Sequence, residues 1–442
     1  MKKIIIILSV LAATLFAASC NKTKEVQPVA ISVQLMSEGE AFAVEGVTIN
    51  LTDAAATFSL DENTNAQGRA AFSVKPGSYT AKATYTTSEN GVRMAYTGQA
   101  SVAVSAEAVA PYELNLQKVE SQQIVIKEVY STQCPKSPSG AYGNDAYIVL
   151  YNNSDVEADA TNIAIGMLAP YNAQGTNKYY NADDVLIYEN DTWVPAAGGI
   201  WSFTSQVTIP PYSQIVIALY GAINHTATEG LEASVDLSDP SYYWMQKNEQ
   251  YTNAKYQVAE TIPTTHYLSC AAPINMGNAW LFSNSSPSLF IANMPKAQVE
   301  ALSKDTANFD TTGGTTNTGW AAKFPQANII GAVDVWAADK LETSKLRFPA
   351  KINSGYVAIT GKLGYTVYRN VDKEATEALP ENDGKLVYGY TGTYDEATGA
   401  GSTDPSGIDA EASIAKGAHI IYKQTNSSAN DFHQRKVASI KK

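Results

Sequence analysis

The stretch from Ile124 to Leu168 constrains the fold more than any other part of the chain. It opens with a β-branched run, Ile124-Val125-Ile126, closing on Glu128, Val129 and Tyr130. A loop rich in Pro, Ser and Gly follows. The chain then re-enters Ala146-Tyr147-Ile148-Val149-Leu150-Tyr151 and breaks at Asn152-Asn153-Ser154-Asp155. Alternation bounded by turn residues is the pattern of half-buried strands in a sandwich. With 442 residues there is length for two or three such domains. Charged residues are only 17% of the chain, below the usual quarter or so. Polar character comes instead from Thr, Ser, Asn and Gly, with 26 Tyr, a palette that strands, edges and turns of an extracellular β-protein consume. The net charge of −12 argues against a nucleic-acid partner, which needs a basic patch. It also disfavours attachment to anionic lipid by charge alone.

The N-terminus addresses the chain. Lys2 and Lys3 precede an apolar run from Ile4 to Phe16, and Ala17-Ala18-Ser19 leads directly into Cys20. The string resembles a bacterial lipobox, with Ala17 where Leu is common. The resemblance implies that residues 1–19 are a signal peptide, and that Cys20 takes a diacylglycerol while its new α-amine is acylated. Several acyl chains give durable attachment to a lipid bilayer. No later stretch has the run of about 18 apolar residues that a spanning helix needs. Residues 20–28 form a polar tether. Its single acid, Glu25, stands where surface-exported Bacteroidetes lipoproteins carry an acidic cluster. An outer-membrane, lipid-anchored protein is therefore expected, the extracellular face favoured over the periplasmic one on that one residue. Beyond Cys20 only Cys134 and Cys270 remain, and outside the inner membrane they have one intramolecular disulfide open to them.

Residues 29–119 read as a small β-sandwich. Ile31-Val33-Leu35, Val47-Ile49-Leu51 and Ala70-Phe72-Val74 alternate, and Pro76-Gly77 precedes Tyr79. The run from Thr57 to Tyr85 resembles the carboxypeptidase-regulatory or transthyretin-like domain, a spacer or adhesion module in that family. Asp61, Asn63 and Asn65 alternate as in a calcium loop, but Ala66 and Phe72 stand where Gly and Glu are needed, so a hairpin turn is expected. A polar seam, Glu120-Ser121-Gln122-Gln123, marks the boundary.

Residues 120–442 resemble a lamin-tail-like immunoglobulin-type domain. The resemblance rests on the two opening strands, on Ala279 to Asn284, on Ala332 to Trp336, and on Gly417 to Tyr422 followed by Asn426-Ser427-Ser428-Ala429-Asn430-Asp431-Phe432. The expected fold is all-β: two immunoglobulin-like β-sandwich domains in tandem, the second carrying long irregular insertions and a short helix at Pro295 to Ser303. Two insertions, Tyr171 to Trp201 and Ser241 to Tyr267, are dense in aromatics within a polar frame. Tyr179, Tyr180, Trp193, Tyr242, Tyr243 and Trp244 are the candidate ligand-binding residues, because exposed Tyr and Trp give large contact area at low entropic cost. Asp305-Thr306-Ala307 resembles the Bacteroidetes O-glycosylation motif, which implies a glycan on Thr306.

Catalytic motifs are missing. There is no Gly-x-Ser-x-Gly, no His-Glu-x-x-His, no phosphate loop and no Cys-x-x-Cys. The four His, at 225, 266, 419 and 433, are scattered, and Asp183-Asp184 reads as a solvated turn. No enzyme, metal or cofactor is expected. As a whole the chain resembles uncharacterised Bacteroidetes outer-membrane lipoproteins. That resemblance implies an accessory ligand-binding or lid protein working with a TonB-dependent transporter; the alternative is a structural or adhesion spacer at the cell surface.

Overall fold

A computed structural model describes residues 27–53, 57–89, 92–105, 111–120, 122–245, 253–274, 280–314 and 319–441. The signal peptide expected at residues 1–19 and the lipidation expected at Cys20 fall outside the described residues. The chain is nearly all β. It divides into two compact units: the residues up to Thr86 with Tyr96–Lys118, and Thr87–Ala95 with Val119–Lys442.

The strands of the N-terminal sheet are β1 (Val29–Ser37), β2 (Glu40–Ala41), β3 (Thr48–Asp53), β4 (Ser59–Asn63), β5 (Arg69–Val74), β6 (Gly77–Glu89), β7 (Val92–Val104) and β8 (Tyr112–Glu120). Their order is β2-β1-β8-β7-β6-β3-β4, with β5 also paired to β1. Alternation decides which face is buried. Val33 and Leu35 of β1, Ile49 and Leu51 of β3, and Ala70, Phe72 and Val74 of β5 all point inward. The segment after Asp61 is a turn. Asn65 Oδ1 accepts from the backbone N–H of Gln67 and Arg69 at 3.0 and 3.1 Å. Gly68 follows at φ +73°, where a Cβ would stand 1.9 Å from the carbonyl oxygen of Phe42, so only Gly fits.

The second unit begins with β9 (Ile124–Tyr130), β10 (Cys134–Pro135), β11 (Ala141–Tyr142), β12 (Tyr147–Asn152), β13 (Ala158–Asp159) and β14 (Ile163–Leu168). It continues with β15 (Trp193–Phe203), β16 (Thr208–Ile209), β17 (Gln214–Ala218), β18 (Tyr243–Met245), β19 (Tyr267–Pro273) and β20 (Ser288–Asn293). The last six strands are β21 (Phe309–Asp310), β22 (Ala321–Pro325), β23 (Ile329–Ala337), β24 (Val357–Ile359), β25 (Thr366–Arg369) and β26 (Phe432–Arg435). The main sheet runs β24-β23-β20-β14-β15-β19-β18-β17-β12-β9-β25-β26, with β22 also on β15 and β21 on β22. Every residue of β9, β12 and β14 is buried. Both faces of these strands are covered, which is why their sequences are near-continuous apolar runs rather than strict alternations. The β9–β12 ladder carries a bulge: Val149 faces Glu128 and Leu150 faces Ile126, leaving Lys127 as the extra residue.

The helix expected at Pro295 to Ser303 is α1 (Lys296–Leu302), with Val299 buried beneath it. Three shorter helices follow, α2 (Lys373–Glu377), α3 (Ala410–Ala415) and α4 (Ser428–Asp431). Asp372 and Asp409 cap α2 and α3 by accepting from the backbone N–H of Ala375 and Ala412. Arg347 and Asp334 form a fully buried pair, guanidinium to carboxylate at 2.6 Å, and Asp334 also accepts from the Arg347 backbone N–H at 2.8 Å.

The disulfide expected between Cys134 and Cys270 is not formed in this structure. Cys134 is buried in β10, where its Sγ donates to Asp145 Oδ2 at 3.4 Å. Cys270 is held in the β15–β19 ladder opposite Trp201. The two cysteines thus lie in different ladders, Cys134 opposite Tyr142 and Cys270 opposite Trp201.

Candidate functional site

The aromatic residues expected to bind a ligand are packing residues instead, and they fall into two separate cores. Tyr179 is 1% exposed, donates through its hydroxyl to Asp310 Oδ2 at 2.9 Å, and sits edge-on to Tyr188. Tyr180 and Trp193 are half-buried against the same cluster, and the Tyr180 hydroxyl donates to the Leu346 carbonyl at 3.0 Å. Tyr243 and Trp244 belong to the larger core. They lie in β18, a three-residue strand parallel to both β17 and β19. Trp244 is 5% exposed and its Nε1 donates to the Tyr220 carbonyl at 2.6 Å. Tyr242 is half-buried against this cluster. These six rings form no exposed patch among the described residues. The aliphatic partners that these segments lack are supplied by neighbouring strands distant in sequence.

The scattered histidines stay apart. His225 is buried, and its Nε2 faces the Gly221 carbonyl at 2.9 Å. A carbonyl can only accept, so Nε2 carries the hydrogen and Nδ1 accepts from the Tyr142 hydroxyl at 2.8 Å. His266 stacks on Tyr243, and His419 meets Glu381 through Nδ1 at 3.2 Å. Asp184 pairs with Lys345 on an exposed turn. No cluster of three or more His, Cys, Asp or Glu suited to a metal ion occurs among the described residues, and no described helix is long and apolar enough to cross a membrane. Thr306 is exposed, one residue after Asp305, whose side chain accepts from the Ala307 N–H at 2.9 Å.

The strongest candidate for a site lies at the C-terminal ends of β23 and β24. These strands are parallel neighbours, Val335 opposite Val357 and Ala337 opposite Ile359. Parallel strands end together, so the turns Ala338–Lys340 and Thr360–Lys362 leave the sheet side by side. Between them and three other segments opens a cleft of about 610 Å³, within the range of small-ligand pockets. Its polar lining comes from Gln133, Gln174, Asn284, Ser285, Thr360 and Lys362, with Asp339 and Lys340 on the rim. The Gln174 amide is braced on both sides: it accepts from Ser286 Oγ at 2.6 Å and donates to Ser285 Oγ at 3.3 Å. A second hollow of about 510 Å³ adjoins the first across Ala338 and Thr360. Tyr356 lines it and stacks flat on Trp336, ring centroids 3.8 Å apart and planes 1° from parallel.

The backbone of the larger cleft is held in an unusual state. Gln133 and Lys362 both adopt left-handed φ, 69° and 66°, a conformation that costs a non-Gly residue free energy. Each is locked in place, because the Lys362 N–H donates to the Thr132 carbonyl at 2.7 Å and the Gly364 N–H to the Gln133 carbonyl at 2.9 Å. Of the lining residues only Asp339, Lys340 and Lys362 are ionisable. The strongly perturbed carboxyls lie elsewhere, buried in the fold: burial pushes up Asp145, Glu128 and Asp334. None of these residues was singled out from the sequence. The available signal was two apolar strands each ending in a short turn, and nothing in the sequence shows that those turns meet.

Residues 210–391 match the model of a family described as a protein of unknown function, DUF4876. A crystal structure of a DUF4876 family protein from Bacteroides thetaiotaomicron covers 92% of this chain and 95% of its own, at 16% identity and a TM-score of 0.48. A Pseudomonas aeruginosa protein described provisionally as carbohydrate binding matches 21% of the chain and 92% of its own, at 17% identity and a TM-score of 0.18. A DUF3823 family protein from Parabacteroides merdae matches 33% of the chain and 67% of its own, at 10% identity and a TM-score of 0.17. No match is found among curated proteins.

Proposed function

We propose that this chain is a non-catalytic, lipid-anchored accessory protein of the outer membrane that holds a neutral, hydroxyl-rich ligand of the oligosaccharide class in the cleft beside β24. In this reading its two β-rich units are sandwiches of the transthyretin-like and lamin-tail-like kinds, and it serves a TonB-dependent transporter. The observation that carries the proposal is the cleft lining. Amides and hydroxyls from Gln133, Gln174, Asn284, Ser285 and Thr360 both donate and accept, which matches the alternating donors and acceptors of sugar hydroxyls. No pair of carboxyl groups lines the cleft to cut a glycosidic bond, since Asp339 is its only acid. The Cys20 signal supports the anchor, and the Asp305-Thr306-Ala307 motif, exposed on the surface, supports a glycan on Thr306.

The test is binding of neutral oligosaccharides to purified protein on an array, followed by calorimetry on the strongest ligands. Thr360→Trp fills the cleft from an exposed position and should abolish binding without altering stability. Undiminished binding by this variant, or no oligosaccharide bound by wild type, would remove the cleft from the proposal. Cys20→Ala should release the protein from outer membranes, and a transporter should co-purify with wild type alone.

A further inference from the structure

Lys127, the extra residue of the β9–β12 bulge, is turned in among polar groups and tyrosine rings. Its side chain is 1% exposed. Nζ lies 2.6 Å from Gln214 Oε1 and 2.7 Å from Glu411 Oε1. The rings of Tyr151, Tyr368 and Tyr422 surround it at 5.7, 5.6 and 5.9 Å. Three elements supply the polar groups: β9, the start of β17, and α3. Tyr151 of β12 stands in register opposite Gln214, so Lys127 reaches its carboxamide across an intervening strand.

We propose that Lys127 and Gln214 become joined by an intramolecular isopeptide bond, with Glu411 carrying the protons. The three ingredients of amide exchange are a nucleophilic amine, a carbonyl carbon and a proton carrier, here brought together behind an aromatic wall that limits water. Amine and carboxamide are within hydrogen-bond reach, which puts the carbonyl carbon one bond beyond the contact atom. Burial alone would raise the Glu411 carboxyl, but the Lys127 ammonium and the hydrogen bonds from Lys127 and Tyr368 outweigh it and hold the group below the usual carboxylate value. Its direct contact with Nζ at 2.7 Å gives a proton leaving the ammonium a place to go.

The step balances without any external reactant. Glu411 takes one proton from the Lys127 ammonium, and the freed amine attacks Cδ of Gln214, its lone pair forming the new C–N bond while the carbonyl electrons move to Oε1. The added nitrogen passes a proton to Nε2. The Oε1 electrons return, the Cδ–Nε2 bond breaks, and ammonia departs, taking the proton on Glu411 with it as ammonium. The Tyr368 hydroxyl, 2.6 Å from Glu411 Oε1 and 2.8 Å from the Tyr422 hydroxyl, positions the carboxylate. The product replaces the buried Lys127 cation with a neutral amide and leaves Glu411 facing the Tyr368 hydroxyl and the Arg435 charge. It also ties β9 to β17 covalently over β12.

Peptide mapping of the denatured full-length protein by tandem mass spectrometry decides the matter. The peptides containing Lys127 and Gln214 should appear as one branched species, lighter than their sum by one ammonia. Lys127→Arg and Glu411→Gln should each return two linear peptides. Linear Lys127 and Gln214 peptides from wild type would overturn the proposal, and this outcome needs no variant to fold. A branched species persisting in Glu411→Gln would overturn the role given to Glu411.

Discussion

Trp244→Ala separates packing from recognition at the residue whose sequence context pointed most strongly to a binding patch. The ring is 5% exposed and packs edge-on to Tyr267 at 5.0 Å. Removing a buried Trp costs about 3–5 kcal/mol through lost transfer free energy and the cavity left behind. Collapse is opposed here, because β18 is held on both sides by parallel ladders. The Tyr220 carbonyl would also lose its donor from Nε1, adding about 1 kcal/mol or more for a buried acceptor left unpaired. A total of about 4–6 kcal/mol, read as a shift in the urea midpoint of the second unit, is expected. Tyr180→Phe is the matched control, since it removes only the hydroxyl bonded to the Leu346 carbonyl and should cost about 1 kcal/mol. A Trp244→Ala loss below about 1 kcal/mol would refute the burial argument, because no well-packed ring of this size leaves so cheaply.

Arg347→Ala strands the buried Asp334 carboxylate and should destabilise by about 3–5 kcal/mol in the same urea assay, with Asp334→Asn/Arg347→Met milder than the single change. His433 is buried between Asn370 and Tyr390, and burial, helped by Arg435, pushes its imidazole down to about 3 from an ordinary 6.5. A depressed folded-state value stabilises the protein above about pH 6.5 and loses that contribution as pH falls toward about 3, so stability at about pH 4.5 should drop by roughly 2–3 kcal/mol from this group. His433→Gln should flatten that part of the pH profile measured by urea titration. Native alkylation should label Cys270 before Cys134, whose buried thiol is pushed up to about 12; mass spectrometry with and without reductant should show no Cys134–Cys270 bridge.

The strands were legible where one segment carries its own signal. The alternating residues of β1, β3 and β5 mark inward positions directly, and Pro295 before Ala/Gln/Glu marks α1, because helix starts are local events. The aromatic insertions misled for a physical reason. Tyr243 and Trp244 sit in a three-residue strand amid turn residues, and their apolar surroundings come from β17 and β19 across long sequence separations. Local composition reports exposure only when a segment supplies its own core neighbours.

The same logic hides both sites. Gln133, Gln174, Ser285 and Thr360 are ordinary loop residues, each 41 or more positions from the next, and only the parallel pairing of β23 and β24 brings their turns to one mouth. Lys127 sits in a run that reads as core strand, where a lysine looks like an outward-facing residue. The bulge changes its direction, and a bulge depends on how two strands pair rather than on either strand alone. A buried lysine without that turn would face an apolar sheet and force the strand out of the core. With it, the charge meets Glu411 and Gln214, 284 and 87 positions downstream. The bulge is therefore the feature that makes Lys127 tolerable in β9, and deleting Lys127 to restore an unbroken ladder should leave β9 paired while removing the ammonium that Glu411 and Gln214 hold.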